Sequence, residues 1–294
     1  GTIYFGSYNG YLHAVDFSGN KKWSYEVDYP FQSSPIIDTN GTIFFGSGEK
    51  MYAIRDNNVY GNNYWLTPFS VDGKILTSPA ISNDNDTLYF GSDYGSIYAL
   101  DRTTGEKRWK FKLDIDQLYT TASIDSSNNV IIGSTKNSNM VGTLLYLDGS
   151  NNSMNDLSRN IWSITSPTDL SANIGPFFNT VAVNDSTNTL YLSTIAYIYA
   201  INRGDGGVKW RYKKRNFYYT SVIIDDNDNL LFCSMDVDSK TGYLHMVTDN
   251  GNSYTENWKL QVSTAYNERL SPPVIGSNGT IYISSSAGKV YYIE

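Results

Sequence analysis

Few residues in this chain could do covalent or metal chemistry, and their settings decide most of what they could do. Its one cysteine, Cys233, lies in the apolar run NLLFCSM. A lone thiol excludes an intrachain disulfide and a cysteine-based zinc site, and the apolar setting favours a buried, inert group. The two histidines, His13 and His245, stand in matching contexts, YLHAV and YLHMV. Histidine can titrate near neutrality or ligate a metal, but one that recurs at a fixed place in a pattern is expected to pack there. NDNDTL at Asn83 and DDNDNL at Asp225 offer oxygen ligands suited to calcium. Neither has the sixth-position Gly or the closing Glu of an EF-hand loop. DTNGT at Asp38 and DSTNT at Asp185 hold the same place. All four read as tight turns in which Asp and Asn bond to nearby backbone. DVDSKTG at Asp236 is a weaker calcium candidate.

One basic cluster exists, KWRYKKR at Lys209–Arg215. Lys209, Arg211 and Lys213 alternate with Trp210 and Tyr212, so the three charges share one strand face, as on a solvated outer strand. Five Asn-x-Ser/Thr sequons occur, at Asn40, Asn85, Asn151, Asn184 and Asn278. They fall in turns or a polar insert and are all expected to be exposed, as glycan acceptors or simply as good turns. No phosphate loop, HExxH or GxSxG motif is present.

These residues hang on a repeat. The six tryptophans are Trp23, Trp65, Trp109, Trp162, Trp210 and Trp258, at intervals of 42, 44, 53, 48 and 48 residues. Upstream of each runs a strand pattern such as TIYFGS at Thr2 or TLYFGS at Thr87, and TIYISS at Thr280 repeats it once more after Trp258. A short Gly, Asn or Ser turn (YNG, DYG) leads to a second strand, such as YLHAVD at Tyr11 or SIYALD at Ser96. Aromatic and β-branched runs bounded by turn residues signal hairpins. A third strand carries the Trp, and a small apolar one (SSPIID at Ser33, TSPAIS at Thr77) opens the next unit.

We letter the strands of a unit A (small), B (TIYFGS-like), C (SIYALD-like) and D (Trp-bearing). B is nearly continuous apolar, as in a strand covered on both faces. D alternates, as in KRWKFKL, with Arg108, Lys110 and Lys112 toward solvent. A period of ~40–50 residues with four strands per unit predicts an all-β propeller of four-stranded antiparallel blades. Seven units are counted and seven blades favoured; eight, with residues outside this chain, is the alternative. The series begins at strand B and ends at strand C, and the chain opens on Gly1 without a Met, so it is expected to be a processed or trimmed product. No domain boundary breaks the series, so residues 1–294 are expected to be one propeller domain with incomplete first and last repeats. The polar inserts Thr135–Gly142 and Gly149–Asn160 are expected to be surface loops.

The composition fits. Charged residues make up only 17%, tyrosine numbers 25, and the net charge is −7. That balance disfavours a nucleic-acid partner. No stretch approaches the ~18 apolar residues of a membrane span.

At YALDRTTGEKRW (Tyr98–Trp109), the Ala-Leu-Asp, Thr-Gly and Trp pattern resembles the tryptophan-docking repeat of the PQQ-type propellers. That superfamily includes quinoprotein alcohol dehydrogenases and BamB-like non-enzymatic assembly proteins. The likeness spans essentially the whole chain and is loosest at Asp148–Trp162, where the Thr-Gly pair is lost. It implies that Trp23, Trp65, Trp109, Trp162, Trp210 and Trp258 wedge between neighbouring blades, each indole N–H bonding to the next repeat. It implies pyrroloquinoline quinone for the enzymes, many of which stack it on a disulfide between adjacent cysteines, with calcium and an Asp base. One cysteine departs from that arrangement, so no cofactor is expected here.

The expected function is therefore a non-catalytic protein-binding or scaffold module, placed outside the cytoplasm, at the cell surface or in the periplasm. The alternatives are a PQQ-dependent oxidoreductase-like protein and a structural module of a surface layer or particle coat. A protein or peptide partner is expected on the D–A loops, whose aromatic and cationic residues suit recognition. The candidate face is Tyr29, Phe31, Lys74, Tyr119, Phe177, Arg215, Phe217, Tyr218, Tyr266 and Arg269.

Overall fold

The computed structural model describes residues 1–113, 116–118, 120–136, 141–150, 160–165, 179–194, 197–213, 217–263 and 268–294. They form seven antiparallel sheets, the blades of a seven-bladed, all-β propeller fold. The chain divides into two compact units, Gly1–Asn139 with Leu144–Ile161, and Met140–Thr143 with Trp162–Glu294.

The first sheet holds strands B, C and D (Thr2–Ser7, Tyr11–Asp16, Lys21–Glu26). The third is a full A–B–C–D blade: Ala80–Ile81, Thr87–Gly91, Ser96–Asp101 and Lys107–Lys112. The fifth repeats it at Ala182–Asn184, Thr189–Ser193, Ile198–Asn202 and Val208–Tyr212. The seventh has A, B and C only, at Val274–Ile275, Ile281–Ser284 and Val290–Ile293. In the second sheet strand D is broken, leaving Gly61–Asn63 and Phe69–Ser70 on either side of Trp65. In the sixth, strand A comes in two pieces, Phe217–Tyr219 and Ile223–Ile224, both paired to Asn229–Asp236. The inserts anticipated at 135–142 and 149–160 lie largely outside the described residues.

The break in strand A explains its small residues. There a hydroxyl stands in for the missing strand partner: Gly46 N and Gly91 N donate to Ser33 Oγ (3.0 Å) and Thr77 Oγ1 (2.8 Å). Each hydroxyl in turn donates to the same glycine's carbonyl. Cys233 takes the glycine's place in the sixth sheet, its N–H bonding Thr220 Oγ1 at 2.9 Å. A backbone group buried without a partner would cost roughly 1–3 kcal/mol, so the hydroxyls hold the kink together.

The core is a set of layers between consecutive sheets, each with one Trp among its residues: Trp23, Trp65, Trp109, Trp210 and Trp258 fall in five different layers. One position receives the indole N–H of the preceding sheet. It is the residue after strand C, or the last of that strand. Trp23 Nε1 donates to Asp56 Oδ1 at 2.8 Å and Trp210 Nε1 to Asp249 Oδ1 at 2.7 Å. Trp65 and Trp162 donate instead to the carbonyls of Arg102 (3.0 Å) and Arg203 (2.7 Å). The Thr-Gly pair has its reason here. A Cβ on Gly105 would lie 2.8 Å from the Trp65 ring, so the C–D turn must be bare where the indole packs.

Strand B is buried on both faces in the second, third and fifth sheets. In the first and seventh it alternates, leaving Ile3, Phe5 and Tyr282 exposed. The continuous apolar reading fails in these two sheets.

Candidate functional site

The D–A loops lie beside the B–C turns at one end of their sheets. Val27 N bonds Gly10 O (2.9 Å), Ile75 N bonds Gly48 O (2.8 Å), and Leu113 N bonds Gly95 O (2.9 Å). Loops also reach the following sheet: Ser47 Oγ donates to Tyr29 O at 2.7 Å, and Lys74 N to Asp93 Oδ1 at 2.7 Å. The loops that carry Tyr29 and Lys74 are thus each held from two sheets, and their outward side chains have a fixed base.

Of the candidate face, Tyr29, Lys74 and Arg269 are exposed. Phe31 is a correction. It is 7% exposed and packs against Phe45 in a tilted arrangement with ring centroids 5.0 Å apart, filling the space beside Gly6 in the first layer. It is a core residue because its backbone bridges to Ser47 like a fragment of strand A. Tyr119, Phe177, Arg215 and Tyr266 lie outside the described residues, as do the side chains of Phe217 and Tyr218.

Two residues at the same end were missed. Tyr8 and Tyr94 sit in B–C turns and are 78% and 65% exposed, beside Tyr29 at 52%. The signal was in the turns YNG and DYG, because a large ring in so tight a turn has no interior to enter. Lys112 flanks Tyr94, its Nζ 6.0 Å from the ring centroid.

Asp72 braces the loop that carries Lys74. Its carboxylate accepts from Lys110 Nζ (2.7 Å), Ser96 Oγ (2.7 Å) and Ser92 Oγ (3.0 Å). Burial alone would raise its pKa, but the bonds from Lys110, Ser96, Tyr98 and Ser92 outweigh it and hold the group well below the usual carboxylate range. A depressed folded-state pKa stabilises the fold above the unfolded value, near ~3.9, and that stability is lost as pH falls through the folded value. Asp72→Asn should therefore lower Tm at neutral pH. The gap to wild type should shrink as the pH drops below about 4, read by thermal melts across pH.

The histidines are held inside hydrogen-bonded side-chain groups. His13 lies between Ser7 Oγ (3.0 Å) and Ser24 Oγ (2.7 Å). His245 contacts Ser234 Oγ through Nε2 at 2.7 Å and Glu256 Oε1 through Nδ1 at 3.1 Å. Serine, histidine and carboxylate are linked in the order a hydrolase uses. Access decides against that chemistry: Ser234 is 2% exposed and His245 fully buried, with Tyr212 and Phe232 against the imidazole.

The acidic turns are backbone caps. One oxygen of Asp38 accepts from Asn40 N and Thr42 N, and one of Asp225 from Asn227 N and Asn229 N. Asn184 takes the same position and is 4% exposed, so the expectation that every sequon is exposed fails there. Its amide reaches Asp228 at 2.8 Å and its oxygen caps Thr187 N. Asn40 and Asn278 are exposed, Asn85 is half-buried, and Asn151 lies outside the described residues. On the basic run, Lys209 bonds Thr189 Oγ1 at 2.6 Å, and Arg211 and Lys213 lie over Tyr197.

The residues do not fit a quinone stacked on a vicinal disulfide. Cys233 is the one cysteine of the sequence, fully buried, and burial pushes its thiol up to about 12. Among the described residues no helix is long and apolar enough to cross a membrane.

Comparison with solved structures gives the same fold. BamB from Moraxella catarrhalis is similar with a TM-score of 0.66 and 16% identity, over 100% of this chain and 85% of that one. The WD40 β-propeller domain of Doa1 is similar at 0.65 and 13% identity, over 100% of this chain and 88% of that one. A search of curated protein sequences returned no match. The family profile of outer membrane protein assembly factor BamB matches residues 1–212. With the docking tryptophans and blade repeats in place across that span, the chain belongs to the BamB family of PQQ-type propeller proteins.

Proposed function

We propose that this chain is a protein-binding scaffold module that works outside the cytoplasm and carries out no catalytic step of its own. The observation that carries the reading is the tyrosine-rich end of the first three sheets. Tyr8, Tyr29 and Tyr94 project there next to Lys74 and Lys112, while Tyr89, Tyr191 and Tyr199 of the B and C strands are buried. Tyrosine supplies large contact area at low entropic cost, and aromatic residues with a few cations are typical of binding hot spots. The backbone pinning of the loops means that little ordering is needed on binding. Membership of a family described as outer membrane assembly factors supports the placement outside the cytoplasm. The reading needs no cofactor.

A photo-cross-linking amino acid at positions 8, 29 and 94 tests it in cells. All three sites should trap the same discrete protein, and position 59, in a C–D turn, should trap none. Equal trapping from position 59, or none from the three tyrosine sites, would overturn the proposed face.

A further inference from the structure

Two exposed tyrosines at the loop end rest on glycines. The Tyr29 ring lies on Gly48, in the B–C turn of the second sheet, where a Cβ would fall 2.5 Å from it. The Tyr94 ring, from the B–C turn of the third sheet, lies on Gly73, where a Cβ would fall 3.0 Å from it. One stretch of backbone ties the two turns together. Val71 N bonds Glu49 O at 2.9 Å, Ile75 N bonds Gly48 O at 2.8 Å, and Asp93 N bonds Lys74 O at 2.9 Å. Lys112 Nζ caps the carbonyl of Tyr94. Both rings therefore stand at a set spacing.

The second and third sheets pack face to face, sharing the layer that holds Phe44, Trp65 and Phe90. Stacked sheets stand about 10 Å apart, and the two turns share that spacing. Among the described residues no ring contact joins Tyr29 to Tyr94, so a slot is left between them. Its free polar groups are donors. Among the described residues Tyr29 OH, Tyr94 OH and Lys74 Nζ have no hydrogen-bond or ion-pair partner, and all three residues are exposed.

We propose, on the reading of this end as a protein-binding face, that the slot takes a polyproline II segment of the partner. Such a segment rises ~3.1 Å per residue with three residues per turn, so one face returns every ~9.3 Å, close to the spacing of the two rings. Residues i and i+3 then meet Tyr29 and Tyr94, as prolines do in aromatic-lined grooves. The backbone of this conformation has no internal hydrogen bonds, so its carbonyls are open to the two hydroxyls and the ammonium. A strand brings one face back every ~6.7 Å, short of the spacing. A helix matches it at i and i+7, ~10.5 Å, but its carbonyls are already bonded and it needs a broad apolar stripe beneath it. Two rings among Glu49, Lys74 and Asp93 do not make one.

Titration of the ¹⁵N-labelled protein with three peptides tests the proposal. Ala-Pro-Ala-Ala-Pro-Ala-Ala-Pro-Ala places proline at every third residue. Ala-Ala-Pro-Ala-Pro-Ala-Pro-Ala-Ala has the same composition with proline at every second. The third peptide is the first with glycine for each proline. The first should give saturable shifts at Gly48, Gly73, Lys74 and Tyr94, and bind at least about fivefold more tightly than the other two. Tyr29→Ala and Tyr94→Ala should each weaken that binding at least about tenfold. Should either variant not fold, Tyr94→Phe keeps the ring on Gly73, removes the hydroxyl donor and should weaken binding about threefold. No binding, equal binding of the three peptides, shifts confined to other residues, or unchanged affinity in the folded variants overturns the assignment. Trapping of a protein from positions 29 and 94 in cells, with no peptide bound, overturns the polyproline II assignment alone and leaves the binding face. Binding of the first peptide with no trapping supports the slot and overturns the reading of this end as the face of a cellular partner.

Discussion

Arg102→Met is expected to destabilise the protein by about 3–5 kcal/mol, the usual result of stripping one partner from a buried ion pair. The side chain of Asp38 is fully buried and that of Arg102 nearly so. Asp38 spends one oxygen on the Asn40 and Thr42 N–H groups, and the other faces the guanidinium. Methionine retains the stem and its packing but offers no donor, so a charge is left in the interior with half its partners. The carbonyl of Asn85 loses its donor as well. Urea denaturation monitored by far-UV circular dichroism should show a lower midpoint with little change in slope. Adding Asp38→Asn removes the stranded charge and keeps the turn cap, so the double variant should recover at least about 1 kcal/mol. A near-neutral Arg102→Met, or no recovery in the double variant, would show that the pair does not bear on stability. Leu, Ile or Phe truncations in the layers would cost comparable energies by leaving cavities. The Arg102 effect differs in being reversible by a second, charge-removing change.

Much of this architecture was readable in the residues, because it is repeated. One Trp per unit, the TIYFGS-like strand and the small strand A each recur often enough for period and strand order to emerge together. The hairpin turns could be placed because Asn, Asp and Gly there serve left-handed backbone, as at Asn85 and Gly105. Loop side chains were harder, since nothing in their spacing reports which way they point. Phe31 looks like Tyr29 in a string of letters, yet one bridges toward Ser47 and fills the layer while the other stays outside. Asn184 looks like the other sequons, but as the capping residue of its turn it is drawn inward. Strand B of the first and seventh sheets misled for a different reason: TIYFGS alternates in burial where the near-identical TIFFGS is buried throughout, a difference the strand's own letters do not carry.

The second large effect is expected at Asp249. Asp249→Ala should cost about 2–4 kcal/mol, because it removes the acceptor of two mostly buried donors at once. Trp210 Nε1 donates to one oxygen at 2.7 Å and Tyr191 OH to the other at 2.6 Å, and Gly251 N caps onto the first. Burial, and then this bond to Asp249, push the Tyr191 phenol well above the ordinary tyrosine value, so it stays a donor throughout the accessible pH range. Trp23 and Tyr4 share Asp56 in the same way. Trp65 and Trp162 do not use a side chain, for their acceptors are the backbone carbonyls of Arg102 and Arg203. Two chemistries therefore serve one docking position. Where strand B presents tyrosine at Tyr4 and Tyr191, the acceptor is an aspartate with two oxygens for two donors. Where it presents Phe44, one carbonyl meets the single indole. Arg203→Ala should consequently leave the Trp162 bond in place, whereas Asp249→Ala should shift tryptophan emission to longer wavelength and lower Tm. Tyr191→Phe deletes one of the two orphaned donors, so Asp249→Ala should be less costly in that background by roughly 1 kcal/mol or more. An equal cost in both backgrounds would mean that the tyrosine finds another acceptor, and that the aspartate serves the indole alone.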